Sequence, residues 1–397
     1  MTQQTQRTVL VINSGSSSIK YQLVDPDSGR ALASGLVERI GEETGAIIHK
    51  HGGRTTEITQ AVPDHGTGLA QVLRLFEEQG PSLAESHIVA VGHRVVQGGR
   101  HFSGPALIDD GVVALIEELV PLGPLHNPAH LKGIEVGRSL LSDVPHVAVF
   151  DTAFFQDLPE EAARYALDRE VADRYSIRRY GAHGTSHQFV SGEVSSILGR
   201  DDLKQVVLHL GNGASASAVL AGHAVETSMG LTPLEGLVMG GRTGDIDPAA
   251  VFHLARVAGM SIDEIDHLFN RGSGMKGLTG DNDMREVWKR VAAGEQEARD
   301  AMDVYLHRLT KYVGAYTAVM GGLDALTFTA GIGENDARLR RELCQRLAFL
   351  GIELDEAANE ERAEGARIIS APGSAVTVLV VPTNEELAIA RQALTLL

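Results

Sequence analysis

The sequence is poor in cysteine, in basic residues and in long apolar runs. Its one cysteine, Cys344, excludes an internal disulfide and is typical of a protein kept in a reducing compartment. Lys and Arg number 35 against 52 Asp and Glu, a formal net charge of −17, which argues against nucleic acid or an anionic membrane as a partner of the whole surface. No run of 18 apolar residues occurs, and the opening MTQQTQR lacks the apolar stretch of a signal peptide. We therefore expect a cytoplasmic protein with no membrane partner.

The chain has 397 residues, of which 43% are hydrophobic, enough material for two cores. Residues 206–220, VVLHLGNGASASAVL, predict a strand, a glycine turn and a second strand. Small residues leave the backbone N–H groups of such a turn open to a phosphate, although most glycine hairpins have no ligand. A similar pattern at residues 10–18, LVINSGSSS, lies half a chain away and aligns Gly15 with Gly213. The pattern therefore predicts that the chain repeats its fold from the midpoint, and the second copy favours phosphate binding at these turns over that of a single hairpin.

Two arginines stand where charge is unexpected. Arg94 interrupts the apolar run IVAVGHRVV at residues 88–96, and a buried arginine needs an anion, supplied by a protein carboxylate or by a ligand. Arg242 lies in the glycine-rich, irregular stretch 232–248, next to Asp245 and Asp247. An internal ion pair with one of these carboxylates is the alternative to a site role for Arg242.

Three further polar residues are candidates for the site. Asp151 directly follows the predicted strand 146–150, at the strand end where open α/β sheets bind ligands; capping of the next segment is the alternative. His183 lies in a loop flanked by glycines, which favours a site role, and we expect Thr185 or Ser186 to cap the helix that follows. Lys20, after the hydroxyl-rich turn, either reaches a phosphate or is an exposed strand lysine.

The C-terminal part offers one more anion site. Residues 325–329 predict a strand that leads through the glycine turn 330–335, AGIGEN, to a helix N-terminus, which favours an anion or a nucleotide. We predict a loop at residues 273–283 and irregular structure in the proline-rich residues 121–128. Thr383 or Asn384 is expected to cap the last helix, whose first turn contains Glu385 as dipole compensation or as a metal ligand.

Nine motifs, in order over nearly the whole chain, resemble the acetate kinase family. They are NSGSSSIK (13–20), GHRVVQGG (92–99), PLHNP (124–128), FDTAF (150–154), YGAHGTSH (180–187), HLGNGAS (209–215), MGGRTGDIDP (239–248), GIGEN (331–335) and TNEE (383–386). The resemblance implies an α/β fold of the actin, Hsp70 and sugar-kinase type, with two duplicated ribonuclease-H-like domains and a cleft between them. The first domain would span residues 1–152, completed by a helix at 385–397. The second, residues 153–384, would bind the nucleotide and form the interface of a homodimer.

The resemblance also implies an activity and a set of site residues. The activity is the reversible in-line transfer of the γ-phosphoryl group of ATP to acetate, which gives ADP and acetyl phosphate and needs Mg²⁺, with Mn²⁺ as an alternative metal. Residues implied around the carboxylate and the phosphoryl group are Arg94, Asp151, His183 and Arg242. Residues implied for the acyl pocket are Val96, Leu125, Ala182 and Pro233. Residues implied for the nucleotide are Lys20, His209, Leu210, Gly211, Asn212, Gly213, Asp283, Met284, Arg285, Gly331, Ile332, Gly333, Glu334 and Asn335, with Asn13 and Glu385 on the metal side.

Two departures from the family pattern bear on the substrate. Gln97 and Ala182 stand where the motifs often have histidine and phenylalanine, and the small Ala182 leaves room for propionate. A propionate kinase of the same family is therefore the first alternative. A chaperone or regulator that only binds ATP is the second, but it leaves Arg94, His183 and Arg242 without a role.

Overall fold

The computed structural model describes residues 7–397, which form two compact units. Unit 1 extends to Gln156 and includes Asn384–Leu397, and unit 2 is Asp157–Thr383. Each unit has its own sheet and its own apolar core. Among residues 7–397, no helix combines the length and the apolar character needed to cross a bilayer.

The sheet of unit 1 has eight strands in the order β5-β4-β3-β2-β1-β6-β8-β7. The strands are β1 (Thr8–Gly15), β2 (Ser18–Val24), β3 (Ala31–Glu38), β4 (Gly45–His51), β5 (Arg54–Gln60), β6 (Ile88–Val95), β7 (Ala106–Leu107) and β8 (His146–Phe150). Strands β1, β6 and β8 are parallel, whereas every other neighbouring pair is antiparallel. The carboxyl ends of β1, β6 and β8 therefore lie at one edge of the sheet.

Helices cover the sheet of unit 1. They are α1 (His65–Gln79), α2 (Asp110–Glu118), α3 (Asn127–Leu140) and the C-terminal helix (Glu385–Leu394), with short 3-10 turns at Val120–Leu122 and Ala153–Phe155. Asn384 caps the C-terminal helix through the N–H of Leu387, as one of the two expected caps. The prediction of irregular structure for residues 121–128 was wrong in part, since a 3-10 turn and the start of α3 occupy both ends of this stretch. A proline in a first turn removes no helical hydrogen bond.

The sheet of unit 2 repeats the pattern of unit 1. Its order is β11-β10-β9-β12-β14-β13, from β9 (Lys204–Leu210), β10 (Ala214–Leu220), β11 (His223–Thr227), β12 (Ala325–Thr329), β13 (Arg367–Ile368) and β14 (Thr377–Val380). Strand directions match those of β3-β2-β1-β6-β8-β7 one for one. The predicted duplication and fold class are confirmed, and unit 1 differs by the added strands β4 and β5.

The helices of unit 2 are α4 (Glu160–Ala163), α5 (Arg169–Arg174), α6 (Gly184–Leu198), α7 (Ala249–His253), α8 (Ile262–Arg271), α9 (Gly274–Thr279), α10 (Met284–Ala292), α11 (Gln296–Met320), α12 (Ala330–Asn335), α13 (Ala337–Arg346) and α14 (Glu356–Glu360). Two short helices replace predicted irregular segments: α9 lies inside the expected loop 273–283, and α12 is the expected glycine turn. Cys344 is buried on α13.

The C-terminal helix belongs to unit 1 and α6 belongs to unit 2, although each follows a strand of the other sheet in the chain. Helix α6 follows β8 in the chain but packs on β9 and β12, whereas the C-terminal helix follows β14 but packs on β1, β6 and β8. The approach is close, because a Cβ on Gly92 of β6 would lie 2.7 Å from Cγ2 of Ile389. This exchange brings Glu385 and Glu386 into unit 1.

Candidate active site

A charged cluster lies at the carboxyl edge of the unit 1 sheet. Strands β6 and β8 run in register with Val95 opposite Phe150, so Arg94 and Asp151 meet there. Nη2 and Nε of Arg94 donate to Oδ2 of Asp151 at 2.7 and 3.1 Å, and Nη1 lies 3.4 Å from Oε2 of Glu385. The anion that Arg94 requires is therefore a pair of protein carboxylates. The N-cap of the 3-10 turn that follows is Thr152, without a side-chain cap.

This pairing fixes the charge on Arg94. Burial alone would lower its pKa, but the neighbouring charges of Asp151 and Glu385 outweigh burial and raise the pKa above its usual value. The side chain of Asp151 is only 1% exposed, and a carboxylate at that depth depends on the guanidinium for compensation. The three groups form one cluster of ion pairs.

Two residues of the first hairpin lie next to this cluster. Asn13 pairs with Lys20 across β1 and β2, which places their side chains on one face, and β1 is also the parallel neighbour of β6, with Ile12 opposite His93. The ammonium of Lys20 forms an ion pair with Glu386, and its side chain is 59% exposed. Lys20 is thus both an exposed strand lysine and part of the charged cluster, and Glu386 is a member that the sequence did not single out.

A second cluster, in unit 2, is built around His183. His183 occupies a left-handed backbone position, φ 58°, at the start of α6, and its Nδ1 lies 2.9 Å from Oγ of Ser215. The same Oγ lies 2.7 Å from Nε2 of His187, and the rings of His183 and His209 stack with centroids 4.2 Å apart. Ser215 is a member that sequence reasoning missed, although it stands two residues after the glycine turn.

The predicted helix cap was wrong. Thr185 and Ser186 both lie inside α6 and are buried, and Oγ of Ser186 contacts Nδ1 of His209 at 2.8 Å. The N-cap position belongs to His183, without a side-chain cap. Burial lowers the pKa of His187 well below the usual value, so His187 stays neutral, and its Nε2 contacts Oγ of Ser215.

Arg242 has no counter-ion in the described part of the chain, residues 7–397. Its Nη1 donates to the carbonyl of Pro233 at 3.2 Å, whereas Asp245 pairs with Arg308 at 2.6 Å and Asp247 accepts from the N–H of Ala249. The internal ion pair offered as the alternative is therefore wrong. Burial, and then the charge of Arg271, lowers the pKa of Arg242, but an arginine remains charged. A partly buried guanidinium in this state favours binding of an anion.

The second hairpin closes the space beside these groups. Gly211, Asn212 and Gly213 form the three-residue turn between β9 and β10. A Cβ on Gly213 would lie 3.5 Å from Cε1 of His183 and 3.8 Å from Nη1 of Arg242. The structure thus brings His183, Arg242 and the glycine turn around one small volume, which suits an oxyanion.

A cavity of about 650 Å³ lies in unit 2 next to the same hairpin. The two predicted nucleotide segments meet there, since its lining includes Asp283, Met284, Arg285, Gly331, Ile332 and Asn335 together with Asn212. Gly333 and Glu334 do not line it; Oε1 of Glu334 accepts from the N–H of Thr383. The size and mixed lining are those of a small-molecule site.

The cavity also has walls that sequence reasoning missed, among them Trp288 and Asp336. Nε1 of Trp288 donates to Oδ2 of Asp336 at 2.6 Å, and the guanidinium of Arg338 lies 4.0 Å from the ring centroid. Trp288 is the only tryptophan of the sequence. It lies one helical turn after Met284, a predicted nucleotide residue, and this spacing could have identified Trp288 as part of the cavity wall.

The four residues predicted to shape the acyl pocket divide between the units. Val96 and Leu125 belong to unit 1, where Val96 is buried and Leu125 is 43% exposed. Ala182 and Pro233 belong to unit 2, where Ala182 is buried in the core and the carbonyl of Pro233 binds Arg242. Their contact with an acyl group stays a prediction.

Comparison with known proteins gives one consistent result. A model described as the acetokinase family matches residues 8–391. The chain is 58% identical to an acetate kinase of Leifsonia xyli over 97% of its length and 98% of that protein, and 55% identical to one of Streptomyces coelicolor over 97% and 95%. Among solved structures, a Porphyromonas gingivalis acetate kinase has a TM-score of 0.92 at 42% identity over 98% of this chain and 99% of that one. A Francisella tularensis propionate kinase has a TM-score of 0.90 at 40% identity over 97% and 98%.

Proposed function

The chain belongs to the acetokinase family and is a kinase, and from that premise we propose that it transfers the γ-phosphoryl group of ATP to acetate. The products are ADP and acetyl phosphate, and the reaction is reversible. The observation that carries this proposal is Arg242, whose partly buried guanidinium lies beside a glycine turn and has no counter-ion among residues 7–397. The hairpin that forms this turn also borders the cavity that the two nucleotide segments share.

The chemistry needs positive charge more than it needs a base. The transition state of phosphoryl transfer spreads negative charge over the equatorial oxygens, and the acceptor is itself an anion. Acetate, with a carboxyl pKa of roughly 4, arrives ionised, so no residue has to remove a proton from it. Arg94 and Arg242 offset the repulsion between the two anions, and His183 donates a hydrogen bond to the phosphoryl oxygens as charge develops.

We propose Mg²⁺ as the metal, with Mn²⁺ able to replace it, and Asn13, Asp151 and Glu385 as the residues that hold it directly or through water. The described residues contain no cluster of three or more His, Cys, Asp and Glu placed to hold a metal. However, Mg²⁺ often binds one or two protein carboxylates and takes its remaining oxygens from phosphates and water. The amide of Asn13 and the two carboxylates on Arg94 fit that donor set. The metal would neutralise the β and γ oxygens of ATP.

Asp151 acts in this proposal by orienting Arg94 and the metal. Asp151→Asn is expected to raise the Mg²⁺ concentration needed for half-maximal rate, because the amide binds both cations more weakly. A variant with a normal Mg²⁺ requirement, which lost rate only as the pH fell, would instead identify Asp151 as a proton acceptor. For His183 we propose transition-state stabilisation, and a phosphohistidine at this position on the productive pathway would contradict it.

The direct test is trapping of the acyl phosphate by hydroxylamine in the presence of Mg-ATP. Acetate, propionate, butyrate and a reaction without acid are compared, and we expect the largest kcat/KM for acetate. ADP binding is followed separately through the fluorescence of Trp288, which lines the proposed nucleotide cavity. Product from butyrate alone, or no product from any acid, would contradict the proposal.

Propionate is the second candidate substrate, because Ala182 is small and one solved relative is a propionate kinase. If Ala182 borders the acyl pocket, Ala182→Phe should reduce the use of propionate more than the use of acetate. An equal loss with both acids would show that Ala182 acts only through the core of unit 2.

We also propose a cytoplasmic homodimer with the interface on unit 2. Phe252, Val257 and Ile262 are 57, 72 and 66% exposed, a concentration of apolar surface that favours burial by a second copy. On helix α11, Val304 and Val319 are also exposed. The one buried, unpaired cysteine suits a reducing compartment. Light scattering of the wild-type chain and of Phe252→Ser tests the dimer.

A further inference from the structure

The segment 232–248 carries Pro233 and Arg242 without the support of regular structure. The residues between β11 and α7 form no helix or strand, and no carboxylate in the described part of the chain pairs with Arg242. The position of its guanidinium therefore depends on how this segment is fixed to the rest of unit 2.

One carboxylate fixes the segment after Arg242. Asp245 accepts from Nη1 of Arg308 at 2.6 Å, from the hydroxyl of Tyr312 at 2.9 Å and from the N–H of Gly236 at 3.0 Å. Arg308 and Tyr312 are four residues apart on α11 and so lie on one face of that helix. We name this group the Asp245 anchor; it ties both ends of the segment to one rigid helix.

A second carboxylate fixes the segment before Arg242. Glu235 accepts from Nη2 of Arg179 at 2.8 Å and from the hydroxyl of Tyr165. Nη1 of Arg179 also donates to the carbonyls of Thr227, Ser228 and Met229. We name this group the Glu235 anchor. It has the same composition as the first: one carboxylate, one arginine and one tyrosine.

The Glu235 anchor also reaches the backbone that leads to His183. The carbonyl of Gly230 accepts from the N–H groups of Tyr180 and Gly181 at 3.0 and 3.3 Å. A Cβ on Gly230 would lie 1.8 Å from Oε2 of Glu235 and 2.1 Å from the hydroxyl of Tyr165. Glycine is required for this approach, and Glu235 is thereby coupled to the segment 180–183.

A cavity lies beside the two anchors. It has a volume of about 660 Å³ and is lined by residues of both anchors, Tyr165, Glu235, Asp245 and Tyr312. Burial, and then the nearby carboxylates, raises the pKa of both tyrosines above the usual value, so that their hydroxyls remain donors. The middle of the segment, Leu237–Met239, is buried in the core of unit 2, and the hydrogen bonds of the anchors fix the parts on either side of it.

We propose that Asp245 and Glu235 are positioning residues, of which Asp245 sets the direction of Arg242 and Glu235 sets the distance between the segment and His183. The inference rests on the proposed function. A guanidinium displaced by about 1 Å loses much of its effect on the transition state, a loss of up to about 100-fold in rate.

The test is a double-substitution cycle on the full-length chain in the acyl phosphate assay. Asp245→Asn is combined with Arg242→Lys, and the kcat/KM for acetate is measured together with the KM for ATP and the Kd for ADP from Trp288 fluorescence. The matched control is Asp303→Asn, since Asp303 is also tied to arginines on and beside α11 but does not touch the segment. We expect Asp245→Asn to lower kcat/KM for acetate about tenfold or more, with the ADP affinity and the control unchanged.

In the Arg242→Lys background, Asp245→Asn is expected to cost much less than in the wild type, because the group it directs has been replaced. Arg308→Lys keeps one charged donor and should retain most of the activity, whereas Arg308→Met should reproduce Asp245→Asn. Tyr312→Phe removes one hydrogen bond of the Asp245 anchor, and Glu235→Gln weakens the Glu235 anchor. Both are milder changes, and each affects one anchor independently of the other.

Equal losses from Asp245→Asn in both backgrounds would overturn the inference and leave the proposed function intact. The same holds if the ADP affinity and the melting temperature fall in step with activity, because that is the signature of a general loss of structure. A wild-type chain that forms no acyl phosphate from any acid would overturn both proposals.

Discussion

The two units have the same sheet pattern but differ in whether their key arginine is paired with a protein carboxylate. In unit 1, Asp151 and Glu385 both contact Arg94. In unit 2, Arg242 contacts no carboxylate among the described residues, since the nearby Asp245 is held by Arg308. One guanidinium is fixed by the protein, and the other keeps its charge for a ligand. A duplicated fold therefore does not imply duplicated electrostatics.

The two hairpins differ in a similar way. The first closes with two residues, Ser16 and Ser17, because Gly15 pairs directly with Ser18. The second closes with three, Gly211, Asn212 and Gly213, because Leu210 pairs with Ala214. Glycines on both sides of Asn212 leave room for His183 and Arg242, whereas the first turn is bordered by serine hydroxyls.

The largest expected effects come from exchanging the two arginines for alanine. Arg242→Ala should lower kcat/KM about 10³-fold, as removal of an arginine that stabilises a phosphoryl transition state does. Its free energy of unfolding should change by no more than about 0.5 kcal/mol, since no protein charge loses its partner. Arg94→Ala should lower activity and also cost about 3–5 kcal/mol of stability, because Asp151 remains buried without its counter-ion.

Urea unfolding and the acyl phosphate assay on both variants measure this contrast. Arg94→Ala/Asp151→Asn is the control, and removal of the orphaned charge should restore part of the lost stability. Equal unfolding free energies for the two single variants would show that the paired and unpaired arginines do not differ as described.

Acid is expected to weaken unit 1 before unit 2. Burial lowers the pKa of four buried histidines of unit 1, to about 3 for His130; the others are His49, His93 and His146. The unfolded chain binds protons at these sites near the ordinary pKa of about 6.5, and the folded chain does not, so stability falls as the pH drops through and below that value. Each histidine contributes up to about 1 kcal/mol of loss between pH 7 and 5.5.

In unit 2, the buried His187 also has a lowered pKa and acts in the same direction. Burial raises the pKa of Glu226, Glu334 and Asp336. These three carboxyl groups bind protons more readily in the folded chain than in the unfolded one, so they stabilise unit 2 as the pH falls toward their pKa range. Peptide-resolved hydrogen exchange at pH 7 and 5.5, corrected for intrinsic rates, measures the two units separately. His93→Gln should reduce the acid sensitivity of unit 1. Faster loss of protection in unit 2 would contradict the expectation.

The smallest expected effect is the difference in activity between alanine substitutions in the two hairpin turns. Neither Gly15 nor Gly213 has a positive φ, so alanine fits the backbone at both positions. The methyl group of Gly213→Ala would stand in van der Waals contact with His183 and near Arg242, and we expect about a tenfold loss of kcat/KM at unchanged stability. The methyl group of Gly15→Ala would meet Oγ of Ser18 at 2.9 Å, which can rotate away, and the carbonyl oxygen of Ser18 at an ordinary van der Waals distance of 3.7 Å. Equal activities of the two variants would remove the functional distinction between the hairpins.

Particular residues show how far sequence reasoning extends. The requirement of Arg94 for an anion followed from one charge in an apolar strand, and the meeting of residues 283–285 with 331–335 followed from the resemblance. The sequence left open whether Asp245 would pair with Arg242, because Arg308 is far along the chain and its approach depends on the packing of α11. The cap of α6 was mispredicted because the local rule favours Ser and Thr, whereas the contact with Ser215 places His183 there.

The sequence alone determined the class of fold, the repetition of the strand pattern and the family, since these follow from apolar periodicity, glycine turns and short motifs that are local in the chain. Only the tertiary structure decided which charged side chains form ion pairs within the protein and which remain available to bind a ligand. That outcome depends on strand register, on the exchange of the last helices and on the anchoring of an irregular segment, and each of these joins residues that are distant in the chain.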